Sequence, residues 1–215
     1  MNTLPQDTKF FYLVRHGESE ANVSDVWLDN SASLTEEGRR QAELVKKRLE
    51  DIPIDHIISS PTKRTRETAE IINIFFSTDI EFSELFVEKS RPSETNGMKK
   101  NGPEWNTIMQ TTLEHAEDPT WHFSDEENYI EMIERGKKAL KYLRDMPHQH
   151  TLVVTHGLFL RTLFALLTFK NLWATTPIFL YDRMALQNTG VTIFAYLPGG
   201  GWLVLSWNDY AHLPA

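Results

Sequence analysis

Two histidines stand in the same setting far apart in the chain. "FFYLVRHG" ends an apolar run on Arg15-His16-Gly17, and "TLVVTHG" ends another on Thr155-His156-Gly157. Imidazole can serve as a nucleophile or carry a proton near neutral pH. A glycine after it lets the backbone turn sharply and lets a ligand approach. A single His-Gly is adequately read as a strand-ending turn. Two of them, with Arg15 beside the first, read better as two halves of one site. A third piece is "SSPTKRTRETAEII", which sets Lys63, Arg64 and Arg66 in the first turns of a predicted helix. The N-terminus of a helix already carries partial positive charge, so exposed cations there cost roughly a few tenths of a kcal/mol each. They are better placed if at least one faces a bound anion, which a helix N-terminus also favours. Guanidinium forks and imidazoles together suit a tetrahedral oxyanion, phosphate above all.

Metal binding is the competing use of clustered histidines. The chain has eight, and His148-Gln149-His150 has the most ligand-like spacing. A cation site wants histidine or carboxylate partners rather than arginines, so Arg15 beside His16 argues against a metal there. His148 and His150 precede an apolar run and are expected to be exposed loop residues. Neither a metal nor a cofactor is expected. With 22 basic against 30 acidic residues the net charge is -8, which argues against a non-specific grip on nucleic acid or an anionic membrane. A small phosphorylated substrate in a locally basic pocket is still compatible with that charge. The chain has no cysteine, hence no disulfide framework, thiol nucleophile or thiolate metal site. The start "MNTLPQDTKFFYLV" lacks the pattern of a secretory signal. "LFLRTLFALLTF", the most apolar segment, is interrupted by Arg161 and too short to span a bilayer. A cytoplasmic protein is the expectation, and nothing in the residues sets an oligomeric state.

The elements that must position these groups are legible as alternating patterns. Apolar runs at 9–14, 56–59, 151–155, 190–197 and 202–207 are predicted strands, the last two forming a hairpin around Pro-Gly-Gly-Gly. Thr35 caps a predicted helix with Glu36 and Glu37 in its first turn and Ala42, Val45 and Leu49 on one face. Ser60-Pro61 reads as N-cap and first helical position before Ala69, Ile72 and Phe76. Ser124 and Glu127 read as a capping box before Ile130, Ile133, Leu140 and Leu143, and Thr155 as the cap of a helix through Leu158, Leu163 and Leu166. Strands that are apolar along their whole length imply a sheet covered on both faces. The expected fold is therefore α/β, a three-layer α/β/α sandwich with a mostly parallel central sheet and helices on both faces. Residues 1–215 are expected to form a single domain, with about 90–125 as an inserted cap segment arching over the sheet. In such a sheet ligands bind outside the carboxyl ends of the strands, where His16 and His156 would meet if their strands are neighbours.

"LVRHGESEAN", "LTEEGRRQAE", "SSPTKRTRETAE" and "VVTHGLFLR" together resemble the successive motifs of the histidine phosphatase superfamily, the phosphoglycerate mutase-like family, in the family's order. The resemblance implies that His16 attacks phosphorus and becomes a phosphohistidine. It implies that Arg15, Arg64 and His156 bind the phosphoryl oxygens, that Asn22 contacts the group from the first loop, and that Gly157 offers a backbone N–H. Arg66 is expected to point elsewhere. Arg161 matches a family position and is equally read as a structural partner on its helix, and Glu18 is expected to orient the loop. A general acid must protonate the leaving oxygen. Within "ELFVEKSRPSETNG" the family's spacing fits Glu88, with Glu84 and Glu94 as the alternatives.

This chain departs from the family pattern in two places. The aromatic and glycine-rich continuation after the acid is replaced by Ser90-Arg91-Pro92-Ser93-Glu94, where Arg91 is either a cation for a second anionic group or part of a rigid turn. "VSDVWLDNSASLT" lacks the Thr-Gly-Trp-type stretch of the mutases. A phosphatase is the favoured expectation, with a mutase-type phosphotransferase and a non-catalytic phosphate-binding protein as alternatives. Near the end, Asn188 and Thr189 are expected in a turn near the site, and Trp202 and Trp207 in packing.

Overall fold

Lys9–Arg15 (β1), His56–Ser59 (β2), Ile80–Phe82 (β3), His150–Thr155 (β4), Val191–Tyr196 (β5) and Trp202–Asp209 (β6) form one sheet in the order β3-β2-β4-β1-β5-β6. This is a computed structural model that describes residues 4–115, 117–118, 120–169, 180 and 183–214. β1 to β4 run parallel to one another, β5 runs against β1, and β6 against β5. The sheet is thus mixed and mostly parallel, as expected. β3 was not among the expected strands, because three half-exposed residues carry too little periodicity to register. β6 runs on to Asp209, two residues past the expected end. Trp202 packs against Phe11 and Tyr196, and Trp207 against Phe164.

Alternate residues of β1 enter different cores. Phe11 and Leu13 join Phe86, Met132, Leu143, Phe159, Leu160 and Leu163 on one face of the sheet. Tyr12 and Val14 join Val45, Leu49, Ala69 and Ile72 on the other. A strand apolar along its whole length is what burial on both faces requires. The covering helices are Glu36–Leu49 (α2) and Lys63–Phe76 (α3) on one face, Tyr129–Asp145 (α5) and Gly157–Thr168 (α6) on the other. A short helix, Glu20–Val23 (α1), follows the first histidine, and Pro103–Glu114 (α4) lies in the segment expected to be inserted. The sequence reading did not identify α4.

Three expected caps are corrected, each because the residue is used elsewhere. Thr35 does cap α2, accepting from the Gly38 N–H. The cap of α3 is Thr62 rather than Ser60, so Pro61 lies outside the helix, and Ser60 Oγ bonds the His156 ring. The capping box of α5 is Asn128 with Glu131, not Ser124 with Glu127. Glu127 pairs with Arg135 instead, and Ser124 donates to Glu94. The cap of α6 is His156 itself, while Thr155 Oγ1 donates to the Phe86 carbonyl.

Gly17 does not adopt a left-handed φ. Its need for glycine comes from close backbone contact: a Cβ on Gly17 would lie 2.4 Å from the Gly38 carbonyl, and one on Gly38 would lie 1.9 Å from the Glu18 carbonyl. The loop after β1 is thereby seated on the first turn of α2. Gly38→Ala should lower stability by about 2 kcal/mol or more, since overpacking against backbone outweighs the roughly 1 kcal/mol gain in helix propensity. Urea denaturation of the variant checks this, and an unchanged midpoint would contradict it.

Candidate active site

The β1–β4 ladder ends with Arg15 opposite Thr155, so the two residues that follow, His16 and His156, emerge side by side. Their ring centroids are 5.3 Å apart, nearly edge to face. His16 is 4% exposed and His156 is fully buried. The His16 Nδ1 lies 2.7 Å from the Gly17 carbonyl. A carbonyl can only accept, so Nδ1 carries the proton and Nε2 presents a lone pair. For His156, Nδ1 accepts from Arg64 Nη2 at 3.3 Å, and Nε2 donates to Ser60 Oγ at 2.8 Å. Burial, reinforced by the Arg64 and Arg15 guanidiniums, pushes the His16 pKa well below its ordinary value, against the pull of the Gly17 carbonyl. Burial and Arg64 do the same to His156. Two neutral imidazoles therefore sit among fixed positive charges.

Arg64, the second residue of α3, is 8% exposed, and burial pulls its pKa below the guanidinium norm although Glu88 opposes this. Of the other two cations in that turn, Lys63 is exposed and Arg66 stacks on Phe82, 3.7 Å from its centroid. Arg15 Nη1 donates to the Leu186 carbonyl at 2.6 Å. Arg161 serves as a strut, with Nε and Nη2 on the Met184 carbonyl and Nη1 on that of Gly157. Gly157 opens α6, so its N–H has no partner within the helix. A Cβ there would lie 3.5 Å from Arg15 Nε and 3.3 Å from Arg161 Nη1, in the space two guanidiniums use.

Asn22 stands on the rim in α1. Its Oδ1 accepts from the Ser19 N–H and Oγ, each at 3.0 Å, and from Asn188 at 3.4 Å, which leaves the amide N–H groups facing away from that network. Asn188 also donates to the His16 carbonyl at 2.9 Å, so the expected turn at Asn188-Thr189 does lie beside the site. Glu18 accepts from Thr35 Oγ1 and holds the loop. Glu88 lies at the start of α6, its two carboxylate oxygens accepting from the Phe159 and Leu158 N–H groups at 2.9 and 3.0 Å. It comes to that helix because Thr155 and Arg135 grip the carbonyls of Leu85, Phe86 and Val87 just before it. Glu84 and Glu94 are both exposed, and Glu94 is engaged by Ser124.

The sequence reading missed several participants. Ser60 was assigned to a cap, though its place in the Ser-Ser-Pro motif was a signal. Thr68 Oγ1, which accepts the Gly17 N–H, and Asn208, which accepts the Gln187 N–H, had no signal, nor did the carbonyls of Leu186 and Met184. His148 and His150 are corrected: both are half-buried, His148 stacked on His56 and His150 within reach of the Tyr12 hydroxyl at 3.2 Å. They lie at the opposite end of β2 and β4 from His16. Among the described residues, no helix is long and apolar enough to cross a membrane.

Both site histidines are neutral when folded, whereas the unfolded chain protonates them near pH 6.5. As pH falls below about 6.5 the unfolded state takes up protons the folded state refuses, so stability falls, by up to about 1.4 kcal/mol per pH unit per histidine. Urea denaturation between pH 7.5 and 5.5 should therefore show a steeper acid loss for the native chain than for His16→Asn.

The profile of the histidine phosphatase superfamily (branch 1) matches residues 11–210. The chain is 29% identical over 214 residues to a probable phosphoglycerate mutase GpmB from Shigella boydii serotype 18, covering 95% of this chain and 94% of that protein. Among solved structures, YhfR of Bacillus stearothermophilus superposes with a TM-score of 0.80 at 27% identity, over 95% of this chain and 98% of its own. A phosphoserine phosphatase from Entamoeba histolytica gives 0.76 at 23% identity, over 96% and 100% of the two chains, and this likeness is one of fold. Matched by its profile almost from end to end, and with two His-Gly strand ends brought face to face, this chain belongs to branch 1 of the histidine phosphatase superfamily.

Proposed function

We propose that the chain is a phosphomonoesterase that works through a phosphohistidine on His16. The observation that carries this reading is the state of His16: a neutral, buried imidazole with its proton on Nδ1, its Nε2 lone pair available, and Arg15, Arg64 and His156 around it. Neutrality makes the ring a nucleophile, and the cations are suited to the charge on the non-bridging oxygens of a transferring phosphoryl group. Asn22 and the Gly157 N–H complete the cradle.

In the first step Nε2 forms a bond to phosphorus as the bond to the ester oxygen breaks, and Glu88 gives that oxygen its proton. In the second, Glu88 takes a proton from water as the water oxygen attacks phosphorus, releasing phosphate and restoring His16. The choice of Glu88 is supported by its hydrogen bonds to the first turn of α6, the helix that His156 caps, whereas Glu84 and Glu94 are exposed. The segment 90–125 is read as a cap belonging to the same single domain, and as the source of substrate selectivity.

A mutase is the second reading, favoured by the name of the GpmB relatives. Against it stands "VSDVWLDNSASLT", which lacks the mutase stretch, while two of the solved neighbours are named as phosphatases, of phosphoserine and of glucosyl-3-phosphoglycerate.

Purified protein should hydrolyse p-nitrophenyl phosphate in the presence of a chelator, and His16→Ala should reduce the rate by at least about three orders of magnitude. Activity surviving that substitution would sink the proposal, as would label passing to an added acceptor alcohol in place of water. Glu88→Gln should slow alkyl phosphates by about 100-fold or more and p-nitrophenyl phosphate much less, since that leaving group needs little proton assistance.

A further inference from the structure

The end of the chain, "WNDYAHL", reaches back to the turn at 185–190 at two points. Asn208 Oδ1 accepts from the Gln187 N–H at 2.9 Å, and its Nδ2 donates to the Ala185 carbonyl at 3.3 Å. Four residues further on, His212 Nε2 lies 3.0 Å from Thr189 Oγ1. The other ring nitrogen, Nδ1, is buried without a partner among the described residues. Protonating the ring would place an unpaired N–H there. Burial accordingly pulls the His212 pKa below its ordinary value, opposed by Asp209 and helped by Arg48. The contact between His212 and Thr189 is thus one between neutral groups.

Thr189 is an odd choice for its position. It is fully buried and takes a left-handed backbone conformation, with φ 58°. A β-branched side chain is crowded in that region, and glycine is not. Such a conformation persists only where the surroundings hold it, and it collects at functional sites. What this turn holds is the start of the candidate site. The Thr189 N–H donates to the Arg15 carbonyl at 3.0 Å, and the Gly190 carbonyl accepts the Arg15 N–H at 3.4 Å. The Leu186 carbonyl orients the Arg15 guanidinium, and Asn188 Nδ2 donates to the His16 carbonyl. Arg15 and His16 are both braced by this one turn. Glycine would relieve the strain at 189 but carries no hydroxyl for His212 to hold.

We infer that His212 is a positioning residue: by holding the Thr189 hydroxyl it fixes the 186–190 turn in the shape that orients Arg15 and the His16 backbone. It acts through Thr189 and touches no substrate. The inference rests on the phosphatase reading for its effect on rate, while the contact itself does not depend on that reading. Preorganised groups count most in the transition state, so releasing the turn costs turnover more than ground-state binding.

His212→Ala should lower kcat for p-nitrophenyl phosphate by about tenfold and change KM by less than about threefold. Inorganic vanadate mimics the transferring phosphoryl group, so its Kd should rise by about tenfold while that of inorganic phosphate moves much less. A loss of folded protein would weaken both ligands equally. His212→Gln, which can set an amide nitrogen where Nε2 lies, should restore most of the rate and of the vanadate affinity. His212→Asn is too short to do so. Thr189→Val should match His212→Ala, and the double variant should be no worse than either single one. A vanadate Kd unmoved by His212→Ala overturns the inference, as do losses that multiply in the double variant. Equal behaviour of the Gln and Asn variants also overturns it, and that comparison decides the matter if the alanine variant does not fold. Hydrogen exchange reads the turn without turnover: the Thr189 amide should exchange about tenfold faster in His212→Ala, and unchanged exchange overturns the clamp. Faster exchange in that variant, with no ester hydrolysed by the native chain, overturns the phosphatase reading and leaves the clamp standing.

Discussion

Six consecutive rungs of parallel pairing, from Phe10 opposite His150 to Arg15 opposite Thr155, carry β1 and β4 out of the core in step. Because both strands end on the same rung, the residue after each emerges on the same edge, and the His16 N–H bonds the Thr155 carbonyl. A slip of one residue would turn every buried side chain of β1 toward the wrong helix layer. The two cores and the two histidines are therefore set by one register. The constraint is strict since both faces of β1 are buried, and it is what gives the histidines a common address.

Around that edge the protein solves an electrostatic problem. Its guanidiniums are oriented by groups that do not neutralise them. Backbone carbonyls do this work: Leu186 for Arg15, Met184 for Arg161, Leu28 for Arg91. A carbonyl fixes geometry and offers partial charge, where a carboxylate would cancel the cation outright. Burial then acts differently on the two residue types. It keeps the imidazoles neutral, while arginine stays charged because its intrinsic basicity is so high. The result is a positive pocket with an uncharged nucleophile candidate at its centre, inside a chain whose net charge is -8.

The rim is built by exchange between distant segments. Trp27 and Val26 pair with Met98 and Lys99, and Lys100 bonds the backbone of the Asn22 loop. Glu88 stands on the first turn of α6, the helix capped by His156. Segments that differ most from the family pattern are thus tied directly to those that match it. Such an arrangement lets the rim vary while the two histidines stay in place.

Much was decided by the sequence alone. Period-two and period-3.6 patterns set five strands, the helix layers and the mixed sheet, because burial on two faces leaves an unmistakable apolar run. Arg15, His16, Arg64 and His156 were visible because charged residues at strand ends and at a helix start contradict local preference. What stayed hidden was everything whose cause is non-local. Thr62 rather than Ser60 caps α3 because Ser60 is claimed by a histidine 96 residues away. Gly17 is a glycine because Gly38 presses against it, not because of its own φ. Glu88 meets two N–H groups of α6, which no local pattern around it announces. Local patterns report where a residue's own side chain prefers to be, and only the tertiary structure decides which distant donor, carbonyl or backbone it meets there.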